Sequence, residues 1–170
     1  MDEVKWLMAR EIPRLRRYAR SLTANADAAD DLVQDCLERA IRKQYLWRRH
    51  GSIRNWLYRI LYNVFLNQVQ QHNKLRRHVS LDGIDEALTA PARQEQQIYC
   101  KDIVAAMQEL PDEQRAAIAL TALEGLSYDE AAEVLDIPIG TLRSRLFRGR
   151  DKLRELYAAQ PARAPLRRVK

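Results

Sequence analysis

The amino-acid sequence predicts an all-α protein: two small helical domains joined by an extended linker, the second containing a helix-turn-helix. Glycine and proline are scarce, at 5 and 6 of 170 residues. The abundant residues Ala, Leu, Arg, Gln and Glu favour helix. Apolar side chains recur at helical spacing in several stretches separated by turn residues. Strand-like runs of β-branched and aromatic residues between glycine-rich turns are absent.

The distribution of charge divides the chain into segments. The net charge of +6 is by itself a weak indication of nucleic-acid binding. Residues 1–78 carry 16 basic and 8 acidic side chains, whereas residues 79–111 carry 2 and 6. Such blocks indicate segments with different partners. The predicted segments are a first domain over 1–78, an acidic linker over 79–97, a second domain over 98–157 and a basic disordered tail over 158–170.

The cysteines and the hydropathy pattern exclude several classes of protein. Cys36 and Cys100 show neither CxxC spacing nor a nearby histidine cluster, so we predict no metal site and no cofactor. No apolar run approaches the length of a membrane span, and the N-terminal stretch is charged throughout. We therefore expect a cytoplasmic protein without membrane insertion, in which both cysteines are reduced core side chains rather than redox switches.

Three helices are predicted in the first domain. The first covers about residues 6–22, and Pro13 marks either a kink or a helix start within it. The second covers about 28–44, with its apolar residues on one side. A loop over 47–52 precedes the third helix, which covers about 53–73.

The second half begins after a segment without helical period. The acidic stretch that follows residue 78 contains Pro91, which breaks any helix, and helical spacing resumes at Ile98. Pro111, followed by two acidic residues, opens another helix, because acids are favoured at the positive end of the helix dipole. That helix ends before Gly125.

Residues 126–153, LSYDEAAEVLDIPIGTLRSRLFRGRDKL, predict a helix-turn-helix. Ser127 and Glu130 form a capping box at the start of the first helix. The stretch 112–138 contains one basic and seven acidic side chains, whereas 139–157 contains six basic and two acidic ones. A cationic second helix on an anionic scaffold is typical of a recognition helix in the major groove. A solvated basic face is the simpler alternative, but it does not explain the capping box and the proline turn.

The stretch 110–153 resembles region 4 of bacterial RNA polymerase sigma factors of the extracytoplasmic-function (ECF) subfamily, within the sigma-70 superfamily. Its turn phrase IPIGTLRSRL is the most specific part. The resemblance implies that this domain reads the minus-35 promoter element, where bidentate arginine–guanine bonds contribute about 1–3 kcal/mol of discrimination. Gly149 stands where many relatives have Ala, and we expect it to weaken the helix by about 0.5–1 kcal/mol. The implied minus-35 contacts are Thr141, Arg143, Ser144, Phe147 and Arg148.

An acidic face is predicted on the second helix. Asp31 and Asp35 lie one turn apart, where like charges repel, and charge alone would favour an ordinary solvated surface. The stretch ADDLVQDCLERA, residues 29–40, resembles region 2.2 of the same family. In that family this region docks on the clamp helices of the polymerase β′ subunit. Cys36 replaces the usual Thr or Ala. The resemblance implies a polymerase-binding set of Asp31, Leu32, Gln34 and Asp35.

The third helix interleaves aromatic and amide side chains with arginines over RNWLYRILYN, residues 54–63. Such a mixture suits single-stranded nucleic acid, because stacking contributes about 1–3 kcal/mol per base. The alternative is that Trp56 and Tyr58 are core residues, and for Trp56 the two interpretations weigh about equally. The pattern W-L-x-R-I-x-x-N resembles regions 2.3 and 2.4, which melt and read the minus-10 element. The implied minus-10 contacts are Trp47, Arg49, Trp56, Tyr58, Asn63 and Asn67.

Three classes of function are compatible with these features. The leading hypothesis is an ECF sigma factor, which directs the polymerase core to promoters and is not an enzyme. The alternative is a stand-alone helix-turn-helix regulator, which has no need of the acidic face. A nucleic-acid enzyme is disfavoured, because the sequence lacks a phosphate-binding glycine loop and its three histidines are scattered. The resemblance implies a role in stress response and three partners: the polymerase core (β′ clamp helices and β subunit), promoter DNA and an anti-sigma factor.

Overall fold

The computed structural model describes residues 2–47, 51–78 and 95–159. Every regular element within these ranges is helical, which confirms the predicted all-α class. A 3₁₀ turn follows α2 at Gln44–Leu46, and a π-helical segment continues α5 at Ala119–Leu123. The α-helices are α1 Asp2–Thr23, α2 Ala26–Arg42, α3 Ile53–His78, α4 Glu95–Gln108, α5 Asp112–Ile118, α6 Tyr128–Leu135 and α7 Ile139–Ala158.

Helices α1, α2 and α3 pack against one another and form the N-terminal unit. The side chain of Asn25 caps α2 and accepts hydrogen bonds from the backbone N–H groups of Asp27 and Ala28 at 2.9 and 3.1 Å. Pro13 is exposed and lies inside α1, which runs through it, so a helix start at this residue is wrong. Helix α3 extends five residues beyond the predicted end, to His78.

Helices α4 to α7 form the C-terminal unit, and α6 and α7 are the predicted helix-turn-helix. The capping box is present: the Ser127 hydroxyl accepts from the N–H of Glu130 at 3.1 Å, and the Glu130 carboxylate accepts from the N–H of Ser127 at 2.9 Å. Asp136 ends α6 in the left-handed conformation, with φ 54° and ψ 50°. Short aspartate side chains tolerate this conformation better than most residues, so the turn brings α7 back across α6.

The predicted linker, residues 79–97, overlaps the described chain at its end only. Residues 95–97 belong to α4 and not to a linker, so the boundary given by the sequence was three residues too late. Residues 79–94 lie outside the described residues, as does the predicted tail beyond Ala159. The two helical units are in direct contact: α1 packs against α4, α5 and the π-helical segment, and α3 packs against α6.

Gly149 allows α5 and α7 to approach closely. It is buried, and a Cβ atom placed on it would lie 2.7 Å from Cδ1 of Ile118 and 3.4 Å from Cβ of Gln114. Its place in α7 is therefore explained by packing, a constraint that the sequence did not reveal. Gly140, in the first turn of the same helix, has open space where a Cβ would be.

We expect Gly149→Val to lower the free energy of unfolding by about 1–3 kcal/mol, because the branched side chain would overpack the α5–α7 contact. Gly140→Ala is the matched control: it should leave stability unchanged or raise it by up to about 1 kcal/mol, since alanine favours helix. Urea unfolding followed by circular dichroism measures both. Equal stability of Gly149→Val and the parent chain would contradict the packing role of Gly149.

Candidate nucleic-acid and protein interfaces

The outer face of α7 is an exposed surface with basic side chains. Arg143, Ser144 and Arg148 are exposed and Thr141 is half-buried, while Phe147 keeps 69% of its surface exposed. The inward side of the helix is anchored by Leu142 and Leu146, which are buried in the core. The five predicted minus-35 residues therefore lie on the outer surface of α7, with Thr141 at its edge.

Arg145, which lies between the predicted contacts, turns toward α5. Its Nη2 atom lies 3.6 Å from Oε2 of Glu113, and the side chain is 21% exposed. A second polar contact joins the two helices of the motif, since Nη1 of Arg150 donates to the Tyr128 hydroxyl at 3.2 Å. These contacts fix α7 relative to α5 and α6, so the arginines on the outer face have a defined orientation.

A groove of about 450 Å³ runs between α1 and α2. Its acidic and polar side includes Asp31 and Gln34, two of the predicted polymerase contacts. Ile41, one of the apolar residues predicted to share the inner side of α2, is 44% exposed and lines the groove. The lining residues are Ile12, Arg16, Asp30, Asp31, Val33, Gln34, Leu37, Glu38 and Ile41.

Two of the predicted polymerase contacts lie outside this groove. Leu32 has no exposed surface and belongs to the core, so its assignment as a contact is replaced by a supporting role beneath the groove. Asp35 is exposed and accepts a hydrogen bond from Nε2 of Gln68 in α3 at 2.9 Å. Helical spacing explains why Leu32 lies outside the groove. Leu32, Cys36 and Ala40 form the buried stripe of α2, whereas Val33, Leu37 and Ile41, each one residue further along, line the groove.

Helix α3, the end of the 3₁₀ turn that follows α2, and helix α6 border a cleft of about 390 Å³. Trp47 and Trp56 both line it and are both partly exposed. Nε1 of Trp47 is buried and has no hydrogen-bond partner among the described residues. Residues 48–50, and with them the predicted contact Arg49, lie outside the described part of the chain. The remaining lining residues are Leu46, Gly51, Ser52, Asn55, Arg59, Glu133 and Val134.

The other predicted minus-10 residues divide between surface and core. Asn63 and Asn67 are exposed on successive turns of α3, as predicted. Tyr58 is fully buried at the contact between the two units, and its ring packs edge-on against Tyr18 with centroids 5.3 Å apart. Tyr58 does not reach the surface in this arrangement. Of its two interpretations, a DNA contact and a core residue, the structure shows the core residue.

Tyr58 belongs to a buried polar cluster that sequence reasoning did not detect. The carboxylate of Glu124 accepts hydrogen bonds from Nε and Nη2 of Arg17, at 2.7 and 2.8 Å, and from the Tyr58 hydroxyl at 2.6 Å. Burial, with the bond to Glu124, raises the pKa of Tyr58, so the phenol keeps its proton and donates it. The bond to Glu124 also raises the pKa of Arg17.

Cys36 is a buried side chain, as predicted. Its thiol lies 3.5 Å from the backbone oxygen of Leu57, and burial raises its pKa to about 12. The side chain of Cys100 lies outside the described residues. In the part of the chain that the structure describes, no group of three or more His, Cys, Asp and Glu residues is placed to hold a metal ion.

The raised pKa of Cys36 predicts low reactivity. Because the thiolate is the nucleophile and the thiol stays protonated below about pH 12, iodoacetamide at pH 8 should leave Cys36 unmodified in the folded chain. Unfolding in urea should make it reactive. Peptide mass spectrometry after timed alkylation measures this, and rapid native labelling of Cys36 would contradict its burial.

Comparisons with known proteins match both units. Residues 8–62 match the family model of the Sigma2 domain of PhyR, and residues 100–153 match Sigma-70, region 4. The ECF RNA polymerase sigma factor EcfG of Rhodopseudomonas palustris is 37% identical over 147 residues, which cover 85% of this chain and 80% of that protein. This chain belongs to the ECF sigma factors. The family is not a class of enzymes.

Two further similarities support the assignment to the ECF sigma factors. The ECF RNA polymerase sigma factor SigE of Mycolicibacterium smegmatis is 35% identical over 89% of this chain, which spans 60% of that longer protein. The sigma factor RpoE of Bartonella quintana, solved in complex with the anti-sigma factor NepR, superposes with a TM-score of 0.82. That similarity covers 94% of this chain and 99% of the other, at 32% identity. Among the described residues, no helix has the length and apolar character of a membrane span.

Proposed function

We propose that this ECF sigma factor docks on the RNA polymerase core through the α1–α2 groove and reads promoters with α3 and α7. One observation carries the proposal: the described chain exposes an acidic and apolar groove on one unit and an outward row of arginines on the other. A groove of this kind fits a protein helix, and the arginines fit duplex DNA. A stand-alone helix-turn-helix regulator is not favoured, because it has no use for the groove.

The α1–α2 groove suits a basic, amphipathic helix. Leu37 and Ile41 offer apolar surface one turn apart, and Asp31 and Glu38 flank them with negative charge. A helix whose apolar stripe enters the groove would place its basic residues against these carboxylates. The family resemblance implies the clamp helices of the β′ subunit as that partner. Asp35 adds charge at the edge, and Leu32 supports α2 from beneath.

The cleft beside α3 suits one unstacked nucleotide. Trp47 and Trp56, which both line this cleft, supply ring surfaces for stacking. Asn63 and Asn67 continue the same helix with amide groups that both donate and accept. This surface is the proposed minus-10 reader, and α7 is the proposed minus-35 reader. Tyr58 contributes to the minus-10 surface only after the two units separate.

A promoter-bound chain has to be open. The two promoter elements lie about 25 base pairs apart, or roughly 85 Å along the duplex at 3.4 Å per pair. The 16 residues between α3 and α4 reach at most about 55 Å when extended. Two domain radii of about 10–13 Å each bring the reach close to the required distance. Units in contact, as in this structure, would reach only one element at a time.

The proposed partners are the polymerase core, promoter DNA and an anti-sigma factor, and the proposed location is the bacterial cytoplasm. The anti-sigma factor is suggested by the Bartonella quintana relative, which was solved in complex with one. Tethering two weak DNA contacts on one polymerase raises their joint affinity, so each unit alone should bind promoter DNA weakly.

We expect Asp31→Arg and Asp35→Arg to abolish or strongly reduce binding to purified core polymerase, because each puts a cation where a basic helix is proposed to dock. Glu155→Arg, an equal charge reversal at an exposed position of α7, is the matched control and should bind normally. Pull-down with tagged core measures the three variants. Normal capture of Asp31→Arg would refute the docking assignment.

Run-off transcription with core polymerase on fragmented genomic DNA, followed by sequencing of the starts, tests the function itself. The chain and core together should initiate at a defined set of promoters, and core alone should not. Arg148→Ala should reduce initiation by about 5- to 150-fold, the loss of one arginine–base contact of about 1–3 kcal/mol, while core binding persists. Arg154→Ala, which removes an exposed arginine paired with Asp151 on the same helix, is the control. Absence of any specific start would refute the proposal.

A further inference from the structure

Helix α6 lies across the face of α3 that is proposed to meet DNA. Nδ2 of Asn55 donates to Oε1 of Glu130 at 3.4 Å, and Nη2 of Arg59 lies 3.2 Å from Oδ1 of Asp136. Glu133, between these two acids, lines the same cleft as Trp56. Three carboxylates at steps of three residues therefore face the amide, aromatic and cationic side chains of α3.

The carboxylates of Glu133 and Asp136 lie beside the proposed nucleotide cleft, and they carry the same sign of charge as a nucleic-acid backbone. Arg59 is one of the cations beside the proposed nucleotide cleft, and its charge is paired with Asp136 instead. Val134 closes the cleft from the α6 side. The acidic scaffold of the helix-turn-helix is thus complementary to the α3 surface of its own chain.

We propose that the free chain inhibits itself, with α6 covering the part of the minus-10 face of α3 around Asn55, Trp56 and Arg59, and with Glu124 latching the two units together. This inference rests on the proposed function of α3. The Glu124 side chain has no exposed surface, and its partners Arg17 and Tyr58 both belong to the N-terminal unit. Nε2 of Gln108 adds a further link from α4 by donating to the backbone oxygen of Ser21 at 3.0 Å.

The contact of Glu124 with Arg17 and Tyr58 holds the two units in one arrangement, and it can be broken when the units separate. Removing Arg17 would leave a buried carboxylate without its cation, and separation of the units relieves this by returning Glu124 to water. The contacts of Asn55 and Arg59 with α6 are exposed and individually weak. A partner that binds α3 or α7 more tightly than α6 does would shift the chain to the open form. Closure therefore reduces DNA binding by the free chain without preventing it on the polymerase.

Binding of a fluorescein-labelled, mixed-sequence single-stranded DNA to the free full-length chain tests this device. Arg17→Ala should bind up to about tenfold more tightly than the parent chain, if the open form is about one tenth populated. Small-angle scattering should show the parent chain to be compact, near the roughly 16 Å radius of gyration of a globular chain of this length. The radius should increase in Arg17→Ala.

Two further variants keep the test decisive. Asp136→Asn removes only the exposed ion pair to Arg59, since asparagine also accepts the left-handed conformation, and it should shift both readouts in the same direction as Arg17→Ala. If circular dichroism shows that Arg17→Ala does not fold, Asp136→Asn alone tests the proposal. Arg20→Ala removes the same charge from an exposed position of α1 and should match the parent chain.

Equal DNA affinity and equal radius of gyration for Arg17→Ala, Asp136→Asn and the parent chain would overturn the self-inhibition. An effect of Arg20→Ala as large as that of Arg17→Ala would also overturn it, because loss of charge alone would then explain the change. The proposed function is judged separately by transcription with core polymerase. A parent chain that transcribes but is extended when free would refute the latch alone.

Discussion

Beside an apolar core that the two units share, one buried carboxylate makes the polar contact that orients them. Glu124 ends the π-helical segment after α5, and its only cationic partner among the described residues is Arg17, 107 positions earlier in the chain. Breaking a buried ion pair by removing one partner costs about 3–5 kcal/mol. Here the cost is smaller, because the Arg17 side chain is 56% exposed and water screens the pair from that side. Such a contact selects a single docking geometry without making it permanent.

In α2 and α7, the faces proposed to meet partners lie beside the faces that pack into the core. Helix α2 buries Leu32, Cys36 and Ala40 and turns its neighbouring stripe toward the α1–α2 groove. Helix α7 buries Leu142 and Leu146 and leaves Phe147 and its flanking arginines outside. In such small helical units, the residues of the surfaces proposed for recognition are direct neighbours in sequence of the buried core residues.

Local patterns predicted the elements because their causes are local. Helical periodicity gave the helices, and the capping box of Ser127 and Glu130 gave the start of α6. The exposure of Arg143 and Arg148 followed from the same periodicity. The contact between Glu124 and Tyr58 joins residues 66 positions apart, and no periodicity encodes it. The burial of Tyr58, the tight approach at Gly149 and the passage of α1 through Pro13 depend on tertiary packing, so the sequence left them open or misassigned them.

We propose that reading a promoter requires the two units to move apart. Electron cryomicroscopy of this chain bound to core polymerase and a promoter identified by its own transcription starts measures their separation directly. We predict α3 against the unpaired strand, α7 in the major groove upstream, and no contact between Arg17 and Glu124. An initiation complex in which that ion pair is intact, with α6 still covering α3, would contradict the account.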